Sequence, residues 1–351
     1  NLDRNIYDVY CITFHNKITC KLGEKLKNSL EDNNDIILSY TDHQSNIKKI
    51  EELNLDILFY CEVGMDPLNY YYSSMRLAPI QCTTWGHSYT SGISTIDYYF
   101  SSKLYEIDNH EEAQTHYSEK LILFDSLSTY YYNPLDDISF NNNFTSKSSI
   151  NIDFSKNIYY CLQSPFKISC EFDIIIKNIL LRDEDALILL SDINRVSLKR
   201  ILVPRFKKIM DEELLERIIF LPNLKTDEYL SLIKDCNVHI DTYPFGGCNS
   251  TIDSLSLGKP VIILPSDYLS GRFTYGFYNK MGIDELIANS LDEYVDIAIK
   301  ACNDNDWIDP ICGKIRENFH KLLKDDESIT EYNDKFKEIF YYYIDNKKNM
   351  D

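Results

Sequence analysis

An α/β fold built on two parallel sheets is predicted for this chain by three observations. Short apolar runs recur along its whole length, separated by helical or polar stretches. The runs are nearly continuous rather than alternating, which marks strands covered on both faces, the doubly wound arrangement. At 351 residues with 44% hydrophobic content, the chain also has the length and composition for about two packed domains.

Taken in order, the runs YDVYCITF, DIILSYT, LDILFYCEV, PIQCTTWG, DYYFSS and KLILFD supply the strands of a first sheet. A polar stretch without period, DDISFNNNFTSKSSIN, follows at Asp136 to Asn151 and reads as an interdomain linker or a surface insertion. The runs NIYYCLQ, DALILLSD, RIIFLPN, VHIDTYP and PVIILP then supply a second sheet. Beyond about Asn303 the chain is charged with helical spacing, and its last segment, ESITEYNDKFKEIFYYYIDNK, predicts a helix packed across the domain boundary. The expected division is residues 1–135, a linker at 136–150, a second domain at 151–325 and a terminal helix at 326–351.

Composition narrows the function. A formal net charge of −19 without a basic stripe argues against capture of nucleic acid or an anionic membrane, leaving a small ligand or a protein partner. Ten cysteines lie scattered without metal-finger spacing, which reads as reduced, mostly buried thiols in a cytoplasmic protein. No run approaches the roughly 20 apolar residues of a membrane-spanning helix. The absence of a starting methionine suggests a piece of a longer chain with upstream domains missing.

In open α/β sheets ligands sit beyond the carboxyl ends of strands, so the strand-to-helix junctions matter most. In DTYPFGGCNSTIDSLSLGKPVIILP, Asp241 to Pro265, Gly246 and Gly247 offer bare backbone, and Asn249, Ser250 and Thr251 cluster hydroxyl and amide groups at the positive end of a helix. That combination suits a bound phosphate; a glycine-rich loop closing an ordinary crossover is the plainer reading. In YYCLQSPFKIS, Lys167 at a helix start beyond Gln163 is placed either to neutralise a departing diphosphate or as a solvated surface lysine. In FLPNLKTDEYLSLI, Leu224 to Thr226 and Tyr229 are placed to read and stack on a base, or else Tyr229 covers the core. PIQCTTWGHSYTSG delivers His87 to a strand end, where an imidazole suits proton transfer at neutral pH. His239 lies inside an apolar strand and reads as a satisfied core residue, the other histidines as surface. Asp183, Glu184 and Asp185 follow a helix and read as a solvated turn rather than a metal motif.

Five blocks carry a family resemblance in matching order: RLAPIQCTTWGHSYTSGISTIDYYFSS, CLQSPFKI, LPNLKTDEYLSLI, DTYPFGGCNSTIDSLSLGKPVIILPSDYLSGRF and MGIDELIANSLDEYVDIAIK. The chain resembles glycosyltransferase family 41, the O-linked N-acetylglucosamine transferases and bacterial cytoplasmic N-glycosyltransferases, over roughly 70% of its length. The resemblance implies a GT-B fold, two Rossmann-like domains with a UDP-sugar in the crevice between parallel sheets, and inversion at the anomeric carbon without a metal or other cofactor. It implies that Lys167 contacts the diphosphate, that Gln163, Gly246, Gly247, Cys248, Asn249, Ser250 and Thr251 surround it, and that Asp253 lies near the ribose. Leu224, Thr226 and Tyr229 fall where the family holds uracil, and His87 where bacterial members face the acceptor.

Departures accompany the resemblance. Cys248-Asn249-Ser250 stands where animal-type enzymes have His and two hydroxyl residues, and YPFGG is nearer the bacterial branches. The family's opening strand and its tetratricopeptide array are expected to be missing. The implied function is transfer of a hexose or N-acetylhexosamine to a protein side chain, Ser/Thr or Asn, with His87 and Lys167 catalytic. A UDP-binding protein without turnover and a nucleotide-sugar epimerase of the same fold are the rival readings.

Overall fold

The computed structural model describes residues 2–14, 21–30, 34–136, 152–192 and 199–348. The linker expected at 136–150 falls almost wholly outside them, as do His15 and Cys20. The chain divides into two compact units, one of residues 1–103, 108–130 and 325–351, the other of 104–107 and 131–324.

Among its described residues the first unit holds six strands: β1 Cys11–Thr13, β2 Asp35–Ile37, β3 Ile57–Tyr60, β4 Ile80–Thr84, β5 Tyr98–Ser102 and β6 Lys120–Phe124. β3 to β6 form a parallel sheet in sequential order. All residues of β4 and β5 are buried, as expected of a strand covered on both faces. The strands of the unit begin at β1, within the run YDVYCITF, and it pairs in parallel with β2. Both are three residues long and largely half-buried, so YDVYCITF carries little strand signal beyond its apolar run. Ile12, Phe14 and Ile36 pack against a core of Leu38, Ile50, Leu58 and Tyr72.

The terminal helix, Asp326–Lys348, belongs to this unit. It inserts Phe336 and Ile339 among Ile80, Phe100, Ile122 and Phe124. Tyr332 stacks on Phe100 with centroids 5.6 Å apart and meets Phe124 edge-on at 4.6 Å. Glu331 accepts from the backbone amides of Asp125 at 2.7 Å and Ser126 at 3.0 Å, beyond the end of β6. Apolar residues at helical spacing therefore cover one face of the first sheet.

The second unit holds β7 Asn157–Cys161, β8 Ala186–Ser191, β9 Ile218–Leu221, β10 Val238–Ile240 and β11 Val261–Ile262. All pair in parallel, in the order β11-β10-β7-β8-β9. This is the Rossmann order, in which the winding direction reverses between β7 and β10. The loops leaving those neighbouring strands carry Gln163 and Asp241, and a crevice at such a reversal is where ligands bind in sheets of this kind. Helix Cys170–Arg182 starts where Ser169 Oγ accepts from the Phe172 amide at 3.1 Å, and buries Phe172, Ile175, Ile176, Ile179 and Leu180. Asp183, expected in a solvated turn, is instead 7% exposed and accepts from Tyr159 Oη at 2.7 Å and Asn157 Nδ2 at 2.8 Å. A buried carboxylate needs such donors, whereas Glu184 and Asp185 are exposed. Among the described residues no helix is long and apolar enough to cross a membrane.

Candidate active site

Register brings the two loops together. Tyr160 of β7 faces His239 of β10, so the strands end side by side and deliver Gln163 and Asp241 to the same edge. Gln163 Nε2 donates to Asp241 Oδ1 at 3.1 Å and to Ser250 Oγ at 2.6 Å, joining the loop after β7 to the loop and helix after β10. Lys167 ends a short 3-10 turn, Pro165–Lys167, three residues before the helix it was expected to start. Its Nζ donates to Gly246 O at 2.7 Å and lies 4.3 Å from the Phe245 ring centroid. Burial pulls its pKa below the ordinary lysine value, opposed by the negative charge of Asp241.

Asp241 was not singled out by the sequence, and it organises the loop. It is 3% exposed, and besides Gln163 it accepts from the Gly247 amide at 2.7 Å, the Thr242 amide at 2.9 Å and Thr274 Oγ1 at 3.2 Å. A buried carboxylate recruits every donor in reach, which corrects the expectation of bare glycine amides. Gly247 N is committed to Asp241, and Gly246 N donates to Ser270 O at 2.9 Å. What glycine provides at 247 is room: a Cβ there would lie 2.2 Å from Gln163 Nε2 and 2.8 Å from both Ser250 Oγ and Thr251 Oγ1. Thr251 is fully buried, and its hydroxyl pairs with that of Thr274 at 2.9 Å rather than facing outward.

The helix Asn249–Ser256 receives no side-chain cap at its start, Cys248 being its N-cap residue. Its first-turn amides are therefore left for another acceptor, with the exposed Asn249 and half-buried Ser250 beside them. Cys248 Sγ lies 3.0 Å from Tyr131 Oη, and burial pushes its thiol up to about 12, so it behaves as a neutral packing group. Behind the helix, Ser254 Oγ donates to Ser250 O at 3.0 Å and contacts His239 Nδ1 at 2.9 Å and Tyr160 Oη at 3.0 Å. His239 is a core residue as expected, but satisfied at one nitrogen only, since its buried Nε2 has no hydrogen-bond partner. Burial lowers its pKa to about 4, keeping it neutral.

Beside this loop a cavity of about 290 Å³ is lined by Leu162, Ser191, Leu221, Pro222, Leu224, Thr226, Tyr229 and Asp253. Leu224, Thr226, Tyr229 and Asp253, taken from separate sequence blocks, are thus brought together. Tyr229 and Asp253 share a side-chain hydrogen bond, and burial raises the Asp253 carboxyl to about 6, opposed by that bond. The cavity is apolar on one wall and offers a carboxylate on another, a fit for a ring with a hydroxyl-bearing appendage.

His87 belongs to the first unit, in the loop after β4. Tyr99 Oη donates to its backbone oxygen at 2.8 Å, and its ring lies against Gly64. Gly64 has φ 129°, and a Cβ there would meet His87 Cγ at 3.0 Å, so both conformation and space require glycine. His87 Nδ1 is buried without a hydrogen-bond partner. Among the described residues no group of three His, Cys, Asp or Glu side chains is arranged to hold a metal ion.

These features can be set beside known proteins. Over 260 residues the chain is 23% identical to a UDP-glucose:protein N-beta-glucosyltransferase of Actinobacillus pleuropneumoniae serotype 7, covering 72% of this chain and 39% of that protein. It is 24% identical over 306 residues to a probable UDP-N-acetylglucosamine–peptide N-acetylglucosaminyltransferase SPINDLY of Petunia hybrida, covering 84% of this chain and 29% of the relative. The chain thus spans well under half the length of these two relatives. A solved mutant O-GlcNAc transferase from Thermobaculum terrenum superposes with a TM-score of 0.79 at 20% identity, over 98% of this chain and 64% of that one. Anabaena HepE in complex with UDP and glucose gives 0.54 at 10% identity, over 85% and 81%. The likeness shows the GT-B fold, a pair of Rossmann-like units. The model of glycosyl transferase family 41 matches residues 144–324, more than half of the chain and almost all of the second unit with its Gln163, Lys167, Asp241 and Asn249 junctions, and the chain belongs to that family.

Proposed function

We propose that this chain is the catalytic region of an inverting glycosyltransferase that moves a hexose or N-acetylhexosamine from a UDP-sugar to a protein side chain, Ser/Thr or Asn. The observation that carries this reading is the convergence, at the switch point of the second sheet, of a half-buried lysine, an uncapped helix start and a cavity ending in Asp253. In the reaction the acceptor oxygen or amide nitrogen attacks the anomeric carbon as the bond to the β-phosphate oxygen breaks. UDP leaves with that electron pair, and the acceptor proton passes to a base. Lys167 and the first-turn amides of Asn249 to Thr251 hold the diphosphate, the Leu224–Tyr229 wall holds the base, and Asp253 receives a ribose hydroxyl. Positive charge from the lysine and the helix dipole serves the leaving group, so the reading calls for no metal or other cofactor. The GT-B fold seen in solved relatives and the protein glycosyltransferases among the curated ones support it. A cytoplasmic location and the absence of nucleic-acid or membrane partners belong to the same reading, which fits the net charge of −19 and the described cysteines, all free.

Intact-mass measurement of peptides and proteins incubated with a panel of UDP-sugars tests this directly, because it reports sugar and acceptor together. UDP binding without any mass gain on any acceptor would return the chain to a binding protein. Within the reading, His87→Ala is expected to slow transfer by about 10²-fold, as for loss of a proton-transfer group. Its UDP affinity, measured by calorimetry, should stay near that of the unmodified chain, since every donor-site residue belongs to the other unit. Equal loss of both would remove His87 from the acceptor side.

Asp253 gives a pH signature. Its carboxyl, raised to about 6 by burial, is mostly protonated below that pH and anionic above it. A carboxylate accepts a ribose hydroxyl more strongly than a protonated carboxyl does, so UDP affinity should rise several-fold between about pH 5 and pH 7. Asp253→Asn should flatten that rise. An Asp253→Asn chain with the full pH dependence would assign the titration to another group.

A further inference from the structure

The first unit carries an aromatic rim that the reaction just described does not use. Loops leaving the carboxyl ends of β1, β2, β3 and β4 place Phe14, Tyr40, Met65 and His87 along one edge of its parallel strands. Ring contacts make much of this edge continuous: Phe14 lies 5.7 Å from both Tyr40 and Tyr72, Tyr72 5.2 Å from Tyr71, and Tyr71 5.2 Å from His43. The inner members are fixed. Tyr72 is 3% exposed, and its hydroxyl receives Asn46 Nδ2 and faces His43 Nδ1, each at 2.9 Å. The outer members are open to solvent, Tyr40 at 53%, Tyr71 at 46% and Met65 at 66% exposure. Gly64, the residue before Met65, lies under the His87 ring, so the rim runs on to the histidine.

Among the described residues carboxylates outnumber cations along this edge, where Lys49 Nζ donates to Ile37 O at 3.3 Å. The described residues of the four loops, 14, 38–43, 61–67 and 85–97, include four carboxylates and no lysine or arginine. Asp97 is paired with Arg76 at 2.5 Å, but Asp42, Glu62 and Asp66 are held by amide donors alone: Asp42 by the Ser45 amide, Glu62 by the amides of Met65 and Asp66, and Asp66 by the Leu68 amide. Amide donors orient a carboxylate without cancelling its charge. Open tyrosine faces beside uncancelled carboxylates attract guanidinium and ammonium groups, arginine most of all, through ring stacking and charge together. The net charge of −19 adds long-range attraction for a basic chain.

We propose that this rim is an acceptor-docking surface and that it selects polypeptide segments carrying arginine or lysine near the residue to be glycosylated. The proposal rests on the reading of the chain as a protein glycosyltransferase and names the acceptor class for it. The test uses fluorescently labelled peptides of one acceptor sequence flanked by arginine, glutamine or glutamate, with binding read by anisotropy and transfer by mass. The arginine peptide is expected to bind at least about 10-fold more tightly than the glutamate peptide at low salt, an advantage that shrinks as salt rises to about 0.5 M. Tyr71→Ala and Asp42→Asn should each weaken the arginine peptide by about 3- to 10-fold while UDP affinity, which also reports folding, is unchanged. Equal affinity for the three peptides, or no effect of either substitution, overturns the proposal. Transfer without a preference for basic flanks would sink the docking surface alone and leave the glycosyltransferase reading standing. Rim-dependent binding of the arginine peptide without transfer from any UDP-sugar would do the reverse.

Discussion

Lys167→Ala is expected to lower turnover by about 10²- to 10³-fold, equivalent to about 3–4 kcal/mol, while raising the UDP-sugar KM far less. Without a ligand, Lys167 Nζ rests on Gly246 O and above the Phe245 ring, partly stripped of water. An ammonium held there gains most when negative charge is greatest, which is when the diphosphate departs, so its contribution falls on the transition state more than on binding. Burial lowers the lysine's pKa, so the charge is lost as pH rises through a range below that of ordinary lysines. Turnover of the unmodified chain should therefore fall on the alkaline side, and Lys167→Arg should push that limb upward even where geometry costs it rate. Steady-state kinetics with calorimetric UDP affinity decides the matter. Near-normal turnover in Lys167→Ala would show that the leaving group is stabilised elsewhere.

Asp241→Ala should have the largest effect on stability. Removing the carboxylate strands the Gly247 amide in a buried setting, takes one partner each from Gln163 Nε2 and Thr274 Oγ1, and deprives Lys167 of the negative charge that opposes its desolvation. Breaking a buried charge network in this way costs about 3–5 kcal/mol, which in a unit of this size shifts the thermal midpoint down by about 10 °C. UDP affinity should fall as well, because Asp241 fixes the approach to the Asn249 helix. Asp241→Asn, which keeps the shape and one acceptor oxygen, should recover part of the stability. A midpoint within about 2 °C of the original for Asp241→Ala would mean that the loop is held by packing alone.

Much of the fold was legible because strands covered on both faces leave continuous apolar runs, and all eleven strands of the described residues fall in runs readable in the sequence. β1 and β2 show the limit: each is only three residues, shorter than the run that signals it. At the site, Gln163, Lys167, Leu224 and Tyr229 stood out because each lies just after a strand or in the first turns of a helix, whereas Asp253 was reached through the family resemblance alone. What the sequence hid was pairing. Thr274 lies 33 residues from Asp241 and carries no signature, yet it shares the carboxylate and the Thr251 hydroxyl. Nor does a glycine-rich spelling reveal whether an amide is open, and at Gly247 it is committed to a carboxylate that a one-dimensional reading treats as the end of a strand.

The path of the terminal helix sets an order in time. Its residues 326–348 supply Tyr332, Phe336 and Ile339 to the core of a unit whose other strands all lie before residue 125. During synthesis, when chains emerge from the amino end at about 5–20 residues per second, the first unit must wait with Phe59, Phe100 and Phe124 uncovered until some 200 further residues have been made. The second unit, continuous but for a four-residue segment, has all its strands and helices available earlier. The later-encoded unit is therefore in a position to finish first, and the first unit spends its waiting period as the part of the nascent chain with most need of a chaperone.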